Sequence, residues 1–126
     1  ILAELSVLAN HVIATGGGVV LREANRELLR RTGCIAWLQS APETALARLQ
    51  ADPTTVSRRP NLTPAGGLEE LRTLIVAREP LYRECADFSI DTAALSPEAV
   101  AAAILSACGG SISRQSSGAF SSSFSA

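Results

Sequence analysis

The chain has 126 residues, 47% of them hydrophobic and 18% charged, with a formal net charge of −1. That length bounds it to one domain able to bury a core, and so small a charge makes no electrostatic case for nucleic acid or a membrane surface. No stretch nears the roughly 18 uninterrupted apolar residues of a membrane span, and no charged-then-apolar leader pattern opens the chain.

Leu2, Leu5 and Leu8 recur at helical spacing and predict the tail of a helix over residues 1–10. Val12-Ile13-Ala14-Thr15 reads as a short apolar strand, followed at once by Gly16-Gly17-Gly18. Without a Cβ, that turn is free to adopt positive φ and lets a ligand touch its backbone. A glycine turn at the carboxyl end of a buried strand is a place where α/β sheets bind phosphates and small polar substrates. Glu23 to Thr32 is rich in helix formers and is closed by Gly33, and Cys34 to Leu38 is a second buried strand. Ser40 is expected to cap the next helix, with Glu43 completing a capping box, and the helix runs to about Gln50.

From about 51 to 67 the periodicity stops in a polar stretch holding Pro53, Pro60, Pro64 and the pair Arg58-Arg59. A segment of this kind inside a compact domain is expected to be a functional lid. Leu68 to Arg78 is helical, and Pro80 should kink or restart that helix before Tyr82. Phe88 to Asp91 is a third strand, and Ser96-Pro97-Glu98 opens a last helix ending near Cys108. The last 18 residues, Gly109 to Ala126, contain 8 serines, a composition that cannot bury enough apolar surface to offset ordering entropy. The expected organisation is therefore a domain over 1–107 and a disordered Ser-rich tail over 108–126. The alternation of strands and helices implies an α/β fold with a parallel sheet.

The cysteines, Cys34, Cys85 and Cys108, are odd in number and lack metal-ligand spacing, and His11 is the only histidine. A zinc site is not expected, whereas reduced thiols in a cytoplasmic protein are. Tyr82 and Trp37 read as core residues, Cys85 as a small buried hydrophobe, and Asp87 and Asp91 as turn residues. The chain opens at Ile1 and contains no methionine, so it is expected to be a fragment.

Taken in order, the strand with Gly16-Gly17-Gly18, Ala36-Trp37-Leu38, Arg58-Arg59-Pro60-Asn61-Leu62, Arg78-Glu79-Pro80-Leu81-Tyr82 through Asp87, Ile90-Asp91-Thr92 and Ser96-Pro97 resemble the carboxyl-terminal two-thirds of the shikimate kinase family. The resemblance covers about residues 1–106. It implies a three-layer, P-loop nucleotide-kinase-like parallel sheet lacking its first two strands. It also implies transfer of the ATP γ-phosphoryl group to the 3-hydroxyl of shikimate, a step toward chorismate and the aromatic amino acids.

By that resemblance Gly16, Gly17 and Gly18 contact shikimate through their backbone, and Arg78 holds its carboxylate. Arg59 closes over the ATP phosphates as the catalytic lid arginine, and Arg48 and Pro97 flank the adenine. A guanidinium suits a carboxylate because it forms two parallel hydrogen bonds. The cofactors implied are ATP and Mg2+, and the partners are shikimate and ATP, with a monomer expected for the full-length protein. The chain has no lysine and no Gly-x-x-x-x-Gly-Lys-Ser/Thr loop. The phosphate loop, the metal ligand and the acceptor-facing aspartate are expected upstream, and the isolated chain is expected to be inactive. In the family's sheet order the absent first strand lies between the Val12 and Ile35 strands, leaving their edges facing a gap. Two alternatives stay open here: a non-catalytic ligand-sensing module of a regulator, and a related kinase with another acceptor such as gluconate.

Overall fold

The computed structural model describes residues 1–54, 67–112 and 121–125. The chain begins with a single helical turn, α1 (Leu2–Leu5), and Asn10 then takes a left-handed φ of 59° where the backbone turns into β1 (His11–Thr15), a conformation that asparagine tolerates well. A 3₁₀ turn over Gly17–Leu21 leads into α2 (Glu23–Thr32), β2 (Cys34–Gln39) and α3 (Pro42–Ala51). The helix α4 (Gly67–Cys85), the strand β3 (Phe88–Asp91), the helix α5 (Pro97–Ile112) and the strand β4 (Ser121–Ser125) complete the order.

Among the described residues the strands form one parallel sheet in the order β1-β4-β2-β3. Its axis is β2, whose alternate residues enter opposite layers, as strand geometry requires. Ile35, 1% exposed, packs with Val20, Leu29 and Cys85, joined by Leu2, Val19, Leu81 and Tyr82. Ala36 belongs to the other layer, with Val100, Ile104 and Cys108 of α5. A strand covered on both faces reads as a near-continuous apolar run, and Cys34-Ile35-Ala36-Trp37-Leu38 does. The α/β class and the three layers expected from sequence are both present.

Several local expectations change. Ala41, not Ser40, is the N-cap of α3, with Pro42 in its first turn and no side-chain cap bond. Pro42 pre-sets the helical φ there, and Glu43 turns outward to Arg72 of α4. Hydrogen bonding from Arg72 holds the Glu43 carboxyl below its ordinary range. A carboxyl lowered in this way favours the fold above its unfolded pKa and loses that support as pH falls through the lowered value. The two side chains are 47% and 56% exposed, so the pair is weak and salt-sensitive. Residues 67–85 form one helix with Pro80 inside it. The carbonyl that Pro80 leaves without a donor is that of Val76, which is 70% exposed and open to water.

Two findings concern the carboxyl end. The first is that α5 runs through Cys108 to Ile112 and Ser121–Ser125 form a strand, while residues 113–120 of the expected tail lie outside the described residues. β4 lies in parallel between β1 and β2, in register from His11↔Ser121 to Thr15↔Ser125 on one side and from Cys34↔Ser122 to Trp37↔Ser125 on the other. It occupies the gap that the resemblance led us to expect between those strands, and it satisfies backbone groups that burial would otherwise leave unpaired.

The second finding is a correction: Cys34 and Cys108 are joined in a disulfide across 74 positions, leaving Cys85 as the free thiol. The sheet places the first residue of β2 under the end of α5, a proximity that spacing in the sequence does not reveal. Burial, followed by the charge of Glu84, pushes the Cys85 thiol up from its ordinary pKa. Alkylation of the native, unreduced chain at pH 8 should therefore label no cysteine rapidly, and denaturation without reductant should expose one thiol. A count of three would contradict the disulfide. Cys34→Ser should lower unfolding stability by roughly 3–5 kcal/mol, the range expected for so long a closed loop, as read by urea denaturation.

Candidate active site

The glycine turn is built by side chains that reach it from two helices. Tyr82 of α4 donates its hydroxyl proton to the Gly17 carbonyl at 2.8 Å. Asn25 of α2 donates from Nδ2 to the Val19 carbonyl at 2.9 Å, and Arg26 from Nη1 to the Val20 carbonyl at 2.9 Å. Arg26 is fixed in turn by Glu84 of α4, 3.2 Å from its Nε, and Glu84 also pairs with Arg30 at 3.3 Å. Three carbonyls of the turn are thus tied down, one of them by an arginine that is itself held, which is how a backbone segment becomes preorganised.

Local packing does not require glycine at Gly16 or Gly18. Gly16 has φ −71° and ψ 153°, an extended conformation open to any residue. A Cβ built on Gly16 would meet nothing within 4 Å, and one on Gly18 only Leu21 Cδ1 at 3.8 Å. The positive φ that the glycines allow is therefore not used at Gly16. What the missing side chain leaves there is open space over the backbone, which suits close approach by a ligand.

Arg78 precedes Tyr82 by four residues on α4, so the two share a helix face one turn apart. Arg78 thus lies one turn before the residue that fastens α4 to Gly17. Its Nε is buried and finds no hydrogen-bond partner among the described residues. A buried donor of that kind is costly unless something else accepts its proton. Trp37 stacks on Tyr82 at a centroid distance of 5.6 Å and 28° between planes, fixing the ring that carries the hydroxyl.

Arg48 is held at the end of β3. Arg48 donates from Nη1 to Thr92 Oγ1 at 2.8 Å and from Nη2 to the Thr92 carbonyl at 2.9 Å. Thr92 is buried and passes its own hydroxyl proton to the Gln39 carbonyl at 2.9 Å. This clamp brings Arg48 of α3 to the loop that leads into Pro97, where Ser96 Oγ caps α5 by accepting from the Ala99 amide at 3.2 Å. Arg59, with the body of the expected lid, lies outside the described residues; its flanks are the ends of α3 and α4. Asp87 and Asp91 serve the backbone: Asp87 Oδ2 accepts from the Ile35 amide at 2.6 Å, and Asp91 Oδ1 from the Ala93 amide at 2.9 Å. Among the described residues no group of three or more His, Cys, Asp or Glu side chains could hold a metal ion.

The family model for shikimate kinase matches residues 1–109. The chain belongs to the shikimate kinase family. It is 42% identical over 111 residues to a shikimate kinase of Rhodopirellula baltica, covering 88% of this chain and 59% of that protein. It is 45% identical over 93 residues to a shikimate kinase of Neisseria gonorrhoeae, covering 74% of this chain and 66% of that one. Among solved structures, a shikimate kinase from Acinetobacter baumannii in complex with shikimate superposes with a TM-score of 0.69 at 30% identity, covering 92% of this chain and 61% of that one. The chain therefore spans about three fifths of the length of these shikimate kinases.

Tyr82, Asn25 and Arg26 are the residues that sequence reasoning missed. The first had a readable signal, because a tyrosine four positions after a candidate ligand-binding arginine shares its face and needs a partner for its hydroxyl. The other two act on carbonyls six residues away and carry no pattern. Removing the Tyr82 hydroxyl (Tyr82→Phe) should cost about 1 kcal/mol of stability and speed amide exchange over residues 17–21. Unchanged exchange in that turn would show that the bond does not hold it.

Proposed function

We propose that the chain carries the acceptor-binding wall of a shikimate kinase, the enzyme that moves the γ-phosphoryl group of ATP to the 3-hydroxyl of shikimate on the way to chorismate. The observation that carries this reading is the unpartnered buried Nε of Arg78, on the helix that Tyr82 fastens to Gly17. Arg78 offers a carboxylate a charge-assisted grip. Gly16 to Gly18 offer bare backbone to the ring hydroxyls, and the pinned carbonyls keep that surface from shifting. Phosphoryl transfer depends chiefly on holding the attacking oxygen in line and on neutralising charge, so a rigid acceptor wall is a chemically sufficient task for these residues. The shikimate held by the Acinetobacter structure supports this acceptor over a gluconate-type one.

For ATP, we propose Arg48, which is bonded to Thr92, and Pro97 as residues flanking the adenine. Arg59 is proposed as the lid arginine that meets the phosphates. We propose Mg2+ as the ion that accompanies ATP; among the described residues no group of three or more His, Cys, Asp or Glu side chains would hold it. We further propose that this chain alone transfers no phosphate, that the full-length enzyme is a monomer, and that it works in the cytoplasm, where ATP is held. No described helix is long and apolar enough to cross a membrane.

Shikimate titration of the 126-residue chain by calorimetry is the test. Arg78→Ala should weaken binding about 10–100-fold, the loss expected for a hydrogen bond to a charged group. Arg78→Lys should fall between, keeping the charge without the two-pronged geometry. Equal affinity for wild type and Arg78→Ala would overturn the carboxylate assignment.

A further inference from the structure

We propose that Glu84 is a positioning residue for the acceptor, holding the far end of the glycine turn through Arg26. The turn is fastened at two places. Tyr82 of α4 secures its near end at the Gly17 carbonyl. At the far end Arg26 Nη1 donates to the Val20 carbonyl at 2.9 Å and reaches the Leu21 carbonyl at 3.4 Å. Between the two, the Val19 amide donates to the Gly16 carbonyl at 3.1 Å and closes the turn. A run of glycines offers little resistance to a change of backbone angle, so a hold at one end alone leaves the segment free to pivot.

Arg26 does not supply that second hold unaided. Its side chain is 15% exposed, and its Nε is buried without a hydrogen bond among the described residues. A guanidinium so stripped of water needs an opposing charge. Glu84 supplies it, with Oε2 3.2 Å from that Nε. The other oxygen, Oε1, lies 3.3 Å from Nη1 of Arg30, four residues further along α2, so the carboxylate spans one turn of that helix. Glu84 stands on the helix that also bears Arg78 and Tyr82. One helix thus carries the carboxylate grip and, through two different side chains, both fastenings of the turn. The ligand is named by the shikimate reading, on which this proposal rests, whereas the hold on the backbone can be measured without it.

Hydrogen exchange and shikimate calorimetry on the 126-residue chain test it. Glu84→Gln keeps the shape of the side chain and removes its charge. It should speed amide exchange at residues 19–21 and weaken shikimate binding, each about fivefold, the upper range for a partly exposed ion pair. Exchange in β2 should not change. Glu84→Asp, still charged but one methylene shorter, should fall between. The double variant separates positioning from a general loss of stability. In Arg26→Ala the link to the turn is already cut, so adding Glu84→Gln should alter neither exchange at 19–21 nor affinity.

Wild-type exchange and affinity in Glu84→Gln would overturn the proposal, as would faster exchange spread evenly over β1, β2 and the turn. Additive effects of Glu84→Gln and Arg26→Ala would also overturn it, since Glu84 would then act by another route. A wild-type chain that binds no shikimate would instead sink the shikimate reading, and exchange at 19–21 would decide the role of Glu84. If Glu84→Gln or Arg26→Ala does not fold, Glu84→Asp decides, and exchange at 19–21 equal to wild type would count against the proposal.

Discussion

A parallel strand buried on both faces has no water to satisfy its backbone, so every edge it turns toward a neighbour must be paired. That constraint governs this molecule. β2 is the axis of both apolar layers, β3 covers one of its edges, and the other would face a gap wide enough for one strand. Ser121–Ser125 fills it, although its composition favours solvent. The same arrangement brings Cys108 onto Cys34, so the disulfide and the strand insertion are two consequences of one packing.

Once the sheet is closed, the functional surface follows from what stands on it. β1 delivers the glycine turn at its carboxyl end. α2 and α4, packed on the Ile35 layer, send Asn25, Arg26 and Tyr82 to the carbonyls of the turn. The cost of ordering that backbone is met during folding rather than on binding, which favours a ligand that needs a fixed contact surface. Arg78 rides on the same helix as Tyr82, so its position relative to the glycines is set by one hydrogen bond and one helical turn. A shift of α4 would therefore move Arg78 and loosen the turn together.

Much of this was legible in the sequence. The apolar run Cys34 to Leu38 announced a strand covered on both faces, and the strand before Gly16 is present as β1. The Arg78 to Tyr82 segment, with the Arg-Pro pair upstream, pointed to the family that the comparisons establish. What could not be read depends on contacts distant in the chain. Serine-rich composition reports on side chains and is silent about a backbone slot, so β4 was missed. Spacing does not disclose that Cys34 and Cys108 meet, nor that Asp87 serves the Ile35 amide. Ser40 and Glu43 matched a capping pattern, but Pro42 starts α3 one residue later, and the glutamate found Arg72 instead.

The central claim is that Arg78 and the glycine turn form one ligand wall, and the most direct measurement of it is a nitrogen-15 NMR titration of the chain with shikimate. The Arg78 Nε–H resonance and the amides of Gly16, Gly17 and Gly18 should shift together and saturate at one shikimate concentration. An Arg78 Nε–H that does not move while the glycine amides do, or shifts that saturate at different concentrations, would contradict the account.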